Sequence, residues 1–287
     1  MLTRTEYPRG VPCWVDLTAP DPNAAMRFYA GVFGWQYVDR TPAGSPGPYH
    51  VAQLDGYDVA GVGSLVTGMP PAASWNTYVS VDSADDAAAR VAAAGGRVVR
   101  EPFDVPGTGR MAAFTDPAGA AFRVWEPSDW HGAQRVNEPG TWNFNDLNTL
   151  DLEGAKVFYG AVFGWRASEI DFGFEVSTMW QVPGYGDFLE TINPGTRDRH
   201  DEPGVPDGFS DSVGWMQKLA VDTPTGSTPH WNVTFAVADP DETADRVARL
   251  GGTVLVPPFD AGSDVRVTIV RDPHGAAFIA SRYGPSL

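Results

Sequence analysis

Two aspartates, Asp16 and Asp146, stand at the same place in two similar stretches, VDLTAPD and NDLNTLD. A carboxylate enclosed by apolar surroundings is pushed toward neutrality and can serve as a general base. At the end of a strand it can equally cap the helix that follows. The other reactive side chains form no familiar constellation. His50, His131, His200, His230 and His274 show no ligand spacing, and no GxSxG, HExxH or phosphate-binding loop occurs. Cys13 is the single cysteine, so neither an intramolecular disulfide nor a CxxC zinc site can form. A buried structural thiol is the expected role.

Composition narrows the classes. The chain has 287 residues, 43% of them hydrophobic, which suits two domains with ordinary cores. A net charge of −16 disfavours nucleic acid and anionic membranes, both of which need a basic surface. No signal-like apolar run opens the chain and no stretch of about 18 apolar residues follows, so no membrane span is expected. These features predict a cytoplasmic protein, monomer or homodimer, whose partner is a small molecule.

The elements that must position the candidate residues come in repeats. FYAGVFGW at Phe28 recurs as FYGAVFGW at Phe158, an offset of 130. DPAGAAF at Asp116 recurs as DPHGAAF at Asp272, an offset of 156. The second copy therefore carries about 26 extra residues. Their expected seat is the Pro-, Gly- and Asp-rich stretch 193–229, read as a lid or binding loop. The domains are expected at 8–128 and 136–284, joined near Pro127–Gly140.

Within each copy one pattern occurs twice. Asp16 and Leu17 end a strand, and Asp21 or Pro22 opens a helix with Ala25, Phe28, Tyr29 and Phe33 on one face. Gly34 stops it, and YHVAQLDG and VAGVGSLV follow around a turn at Asp55–Gly56. The pattern restarts at Trp75 and closes on strands either side of the Asp116–Gly119 turn. The fold class is α+β, with a βαβββ module used four times.

These motifs resemble the vicinal-oxygen-chelate superfamily, the glyoxalase/bleomycin-resistance/extradiol-dioxygenase group, and within it the two-domain actinobacterial glyoxalase-like proteins. FYxxVFGW is similar to the superfamily's FYxxxLGF block, and the DPxG segments to its element before the last strand. The resemblance implies two half-barrel domains, each around a cavity. It leaves open whether a half-barrel forms within a domain or by exchange of modules.

Metal-using members carry a His or Gln on the first strand of a module and a Glu on the last. Carried over, these positions fall on Trp14, Asn76, Arg123 and the Gly61–Gly63 stretch in domain 1. In domain 2 they fall on Phe144, Asn232, Ile279 and near Glu190. Such residues make no Fe, Zn or Ni site, so neither metal nor cofactor is expected. An alternative donor set of Glu190, Asp146 and His230 stays open.

Strand alternation then gives domain 1 an aromatic cup of Trp14, Tyr78 and Trp125 with Asp16, Asn76 and Arg123 as polar points. Either this cup binds a ligand or an Asp16–Arg123 ion pair plugs it. Domain 2 would present Phe144, Asp146, Asn148, Glu190, Asn232, Thr234 and Ser281. Its insertion could cover the cavity with Phe209, Trp215 and Met216, and Asp146 and Glu190 are the candidate acid/base pair. Three readings compete. One is metal-free binding of a small, partly aromatic or carbonyl-containing molecule. Another is a lyase, isomerase or hydroxylase-type oxygenase working through an acidic residue of domain 2. The last is a non-catalytic interaction protein.

Overall fold

Each module begins with a strand that delivers the chain into a capped helix. Asp21 Oδ1 accepts from Ala24 N at 2.9 Å, and Asp151 Oδ1 accepts from Gly154 N at 2.8 Å. The helices end at Gly34 and Gly164, whose φ of +78° and +76° only glycine adopts cheaply. The caps are thus Asp21 and Asp151, which leaves Asp16 and Asp146 for other work.

The computed structural model describes residues 3–42, 44–65, 72–171, 176–202, 205–220, 228–261 and 265–283. The first module runs β1 (Pro12–Ala19), α1 (Pro22–Phe33), β2 (Gln36–Asp39), β3 (Tyr49–Leu54) and β4 (Tyr57–Ser64). The second is β5 (Ser74–Ser80), α2 (Ala84–Ala93), β6 (Arg97–Val105), β7 (Gly109–Thr115) and β8 (Ala121–Pro127). The third has β9 (Trp142–Thr149), α3 (Leu152–Phe163), β10 (Arg166–Asp171), β11 (Val176–Gln181) and β12 (Ser212–Lys218). The fourth is β13 (His230–Ala236), α6 (Pro240–Arg249), β14 (Thr253–Asp260), β15 (Val265–Arg271) and β16 (Ala277–Tyr283). Between β11 and β12 lie α4 (Tyr185–Ile192), α5 (Thr196–His200) and a 3₁₀ turn (Phe209–Asp211).

Two eight-stranded mixed sheets result, in the orders β2-β3-β4-β1-β5-β8-β7-β6 and β10-β11-β12-β9-β13-β16-β15-β14. Each uses strands of one domain only, so the half-barrels form within domains. The first strands of paired modules meet at the centre, antiparallel, with Asp16 opposite Asn76 and Asp146 opposite Asn232.

The insertion differs from expectation. SVGWMQK, inside the stretch read as loop, is β12, hydrogen-bonded to both β9 and β11. The excursion is therefore 182–211, in place of the tight Asp55–Gly56 turn of domain 1. Of the expected loop and domain end, 203–204, 221–227 and 284 lie outside the described residues.

The domains pack through reciprocal contacts. Tyr29 donates to Asp272 Oδ2 at 3.1 Å while accepting from Trp75 Nε1 at 3.0 Å. Tyr159 donates to Asp116 Oδ2 at 3.1 Å while accepting from Trp231 Nε1 at 2.9 Å. Trp35 Nε1 donates to Gly140 O and Trp165 Nε1 to Gly10 O, both at 2.7 Å. The repeated FYxxVFGW and DPxG motifs thus meet across the interface, each copy gripping the other. Cys13 is fully buried in the core.

Candidate functional site

In domain 1 the inner face is filled. Asp16, 3% exposed, accepts from Asn76 Nδ2 at 2.8 Å, Tyr78 OH at 2.6 Å and Arg123 Nη1 at 3.1 Å. Arg123 also donates to Tyr78 OH at 2.6 Å. Tyr49 reaches the same carboxylate at 3.3 Å and accepts from Trp14 Nε1 at 2.9 Å. It can do so because Gly61 has no side chain: a Cβ there would fall 2.2 Å from the Tyr49 hydroxyl. Burial pushes the Tyr78 and Tyr49 phenols up, so both stay neutral donors. Trp130, from the connection between domains, packs edge-on to Trp14 and Trp125 with centroids 4.6 and 5.3 Å away. Trp14, Tyr78 and Trp125 are all buried. The Asp16–Arg123 ion pair thus lies on the inner face of this half-barrel, largely enclosed.

The matching positions of domain 2 are smaller and less charged. Tyr78 corresponds to Thr234, Arg123 to Ile279 and Trp125 to Ser281, each 156 residues on. A cavity of about 530 Å³ lies at the end of the sheet where β9 and β12 begin and β13 and β16 finish, and of the three exchanged residues Ser281 lines it. Phe144, Val213, Ser281 and Tyr283 form its floor, and Tyr185, Leu189, His200 and Phe209 of the excursion cover it. Arg4, Tyr7, Val11 and Pro12 of the N-terminal segment close a further side. The aromatic contact between Phe144 and Phe209, 6.0 Å between centroids, joins floor to cover.

Asp146 follows Phe144 by two residues on the same strand face, just behind this wall. Where Asp16 has Tyr78 and Arg123, Asp146 has Thr234 and Ile279, and it accepts from Thr234 Oγ1 at 2.8 Å. Burial pushes its carboxyl up to about 6, opposed by the Thr234 hydrogen bond. Asn232 lies opposite it in register and Asn148 donates to its backbone carbonyl at 3.3 Å; Asn148, Asn232 and Thr234 are all buried.

Glu190 does not join them. It lies on α4, where its carboxylate accepts from Gly195 N at 2.7 Å and Arg197 N at 3.1 Å. Those backbone donors hold its carboxyl below the ordinary range. The strand position assigned to it belongs to Trp215, which β12 sets opposite Asp146. The difference has one cause: the strand of this register is β12, inside the stretch expected as loop, whereas Glu190 lies on a helix of the excursion. Met216, a further candidate cover, is buried on the other face of β12.

The superfamily's divalent ion does not fit these residues. Phe144 and Ile279 carry no donor atom, Trp215 an indole and Asn232 an amide. Among the described residues no three His, Cys, Asp or Glu converge to hold a metal ion, the set Glu190, Asp146 and His230 included.

The lining residues Arg4, Tyr7, Tyr185, Leu189 and His200 were not anticipated, since they come from segments outside the repeated modules. No helix among the described residues is long and apolar enough to cross a membrane.

A family model described as the Glyoxalase/Bleomycin resistance protein/Dioxygenase superfamily matches residues 13–124 and 143–279. The Mycobacterium tuberculosis protein named "Putative glyoxylase CFP32" is 36% identical over 289 residues, covering 99% of both chains. "Anthracycline biosynthesis protein DnrV" of Streptomyces peucetius is 35% identical over 96% of this chain and 94% of its own. The Mn(II)-bound glyoxalase of Novosphingobium aromaticivorans shares the fold, with a TM-score of 0.58 at 18% identity, over 95% of this chain and 82% of that one. With two matched repeats and full-length relatives above the level of chance likeness, this chain belongs to the glyoxalase/bleomycin-resistance/dioxygenase superfamily.

Proposed function

We propose that the domain 2 half-barrel binds a small, partly aromatic or carbonyl-containing molecule without the superfamily metal. The observation that carries this reading is the cavity of about 530 Å³ at the end of the domain 2 sheet, lined by Ser281 where domain 1 has Trp125. That volume and its apolar walls with few polar groups suit a small ligand. DnrV, named for anthracycline biosynthesis, supports an aromatic ligand. The test is a thermal-shift screen of small aromatic and α-ketoaldehyde compounds. Hits should be lost in Ser281→Trp, which restores the domain 1 residue, and retained in Trp125→Phe. Hits indifferent to Ser281→Trp would sink the assignment. Elemental analysis after dialysis is expected to find far less than one metal per chain; a stoichiometric ion would overturn the metal-free part.

Asp146 favours a second reading, a lyase or isomerase. A carboxyl with its pKa at about 6 is largely ionised at neutral pH and basic enough to take a proton from a carbon acid and return it. Glu190, tied to the α5 backbone, has no part in this reading. Turnover of a bound carbonyl compound that Asp146→Asn abolishes while binding persists would select it.

A further inference from the structure

We infer that the domain 2 cavity takes an anionic ligand, a carboxylate on an aromatic body, and that Arg4 is its counter-ion. The inference rests on the binding reading above and adds the charge of the ligand.

The chain carries a net charge of −16, yet among the described residues no aspartate or glutamate lines the cavity. Its charged lining groups are Arg4 and Arg282, with His200 beside them. Arg4 is the unusual one. It is only 7% exposed. Arg135, equally buried at 6%, has Asp55 at 3.0 Å, and Arg123 has Asp16 at 3.1 Å. Arg4 has no carboxylate partner among the described residues. Its Nη1 donates to Tyr185 OH at 2.6 Å, and its guanidinium carbon lies 5.4 and 5.7 Å from the Tyr7 and Tyr185 ring centroids. Its Nε is buried with no acceptor, as is that of Arg135, so what sets Arg4 apart is the carboxylate that Arg135 has.

A buried cation needs a counter-charge, and two tyrosine faces offset only part of that cost. Among the described residues, an arginine so held has no carboxylate to balance its charge. The planar fork of a guanidinium matches a carboxylate better than any neutral group. Arg282, whose Nε is likewise buried without an acceptor, adds positive potential, although its charge also acts on Asp241. Phe144, Phe209 and Trp142 supply flat apolar walls for the remainder of the ligand. The two requirements, an oxyanion near Arg4 and a ring against these walls, define the ligand class.

The probes are 2-naphthoate and its neutral isostere 2-naphthamide, titrated calorimetrically into the full chain. Wild type should bind the acid about ten-fold or more tighter than the amide, a preference weakening with added salt. Arg4→Met should reduce that preference to about two-fold or less, and Arg4→Lys should keep part of it. A preference that survives Arg4→Met overturns the inference. So does equal binding of both probes by wild type, a result that needs no variant and holds even if Arg4→Met fails to fold. In that case loss of both probes in Ser281→Trp would leave the cavity reading standing. Binding of neither probe would remove the cavity reading for aromatic ligands and this inference together.

Discussion

Asp16 and Asp146 occupy one strand position in two chemical settings, and the difference can be measured. Asp16 is held by Arg123, Asn76 and Tyr78. Arg123→Met removes the cation and leaves a buried carboxylate, at a cost of about 3 kcal/mol or more. Adding Asp16→Asn should recover much of that loss in urea unfolding, because no buried charge remains. Asp146 behaves in the opposite sense. Its folded pKa of about 6 lies above an unfolded value of about 3.9, so the native state holds the proton more tightly. The stability this contributes is complete below about pH 3.9 and lost as pH rises through about 6. Asp146→Asn, which cannot ionise and can still accept from Thr234, should be about 2 kcal/mol more stable than wild type at pH 8 and equal to it near pH 4. Denaturation curves at both pH values check this. Much of the domain 1 cup was legible, since the superfamily register places Trp14, Asn76 and Arg123 inward and strand alternation adds Asp16 and Tyr78. Trp130 was not, because it enters from a connecting segment that no period governs.

At the scale of elements, the modules were readable from caps, turns and glycine stops, whereas the excursion was not. SVGWMQK sits among Pro-, Gly- and Asp-rich segments, and only its pairing with β9 and β11 makes it a strand. Its apolar Val213 and Met216, like the alternating run of β4, were the available signal. Glu190 belongs to this excursion and not to the strand, so its role is local. Glu190→Gln weakens an anchor for the first backbone N–H groups of α5. It should speed amide exchange across Thr196–His200 and leave exchange in β9 and β13 unaltered. Slower turnover or weaker probe binding with unchanged α5 exchange would restore Glu190 as a site residue.

The whole molecule is organised by reciprocity. Tyr29 bridges Trp75 of its own domain to Asp272 of the other, and Tyr159 does the same toward Asp116. Tyr29→Phe strands the buried indole N–H of Trp75 and removes a donor from Asp272, costing about 1–3 kcal/mol. Because the interface is shared, calorimetry should show one transition displaced as a unit; a split into two would mean that the domains unfold independently. The repeats were legible in the sequence, but not that their most alike residues meet across the domain interface. The N-terminal segment carries this dependence further. Arg4, Tyr7, Val11 and Pro12 precede or open the first strand of domain 1 yet line the cavity of domain 2. Severing the chain between 128 and 136 would give a second half that keeps its sheet and lacks one wall. Two separately produced halves should therefore recover ligand affinity only on mixing, so that affinity itself reports their reassembly. A circularly permuted chain would need its new junction to leave Arg4 free to reach Tyr185.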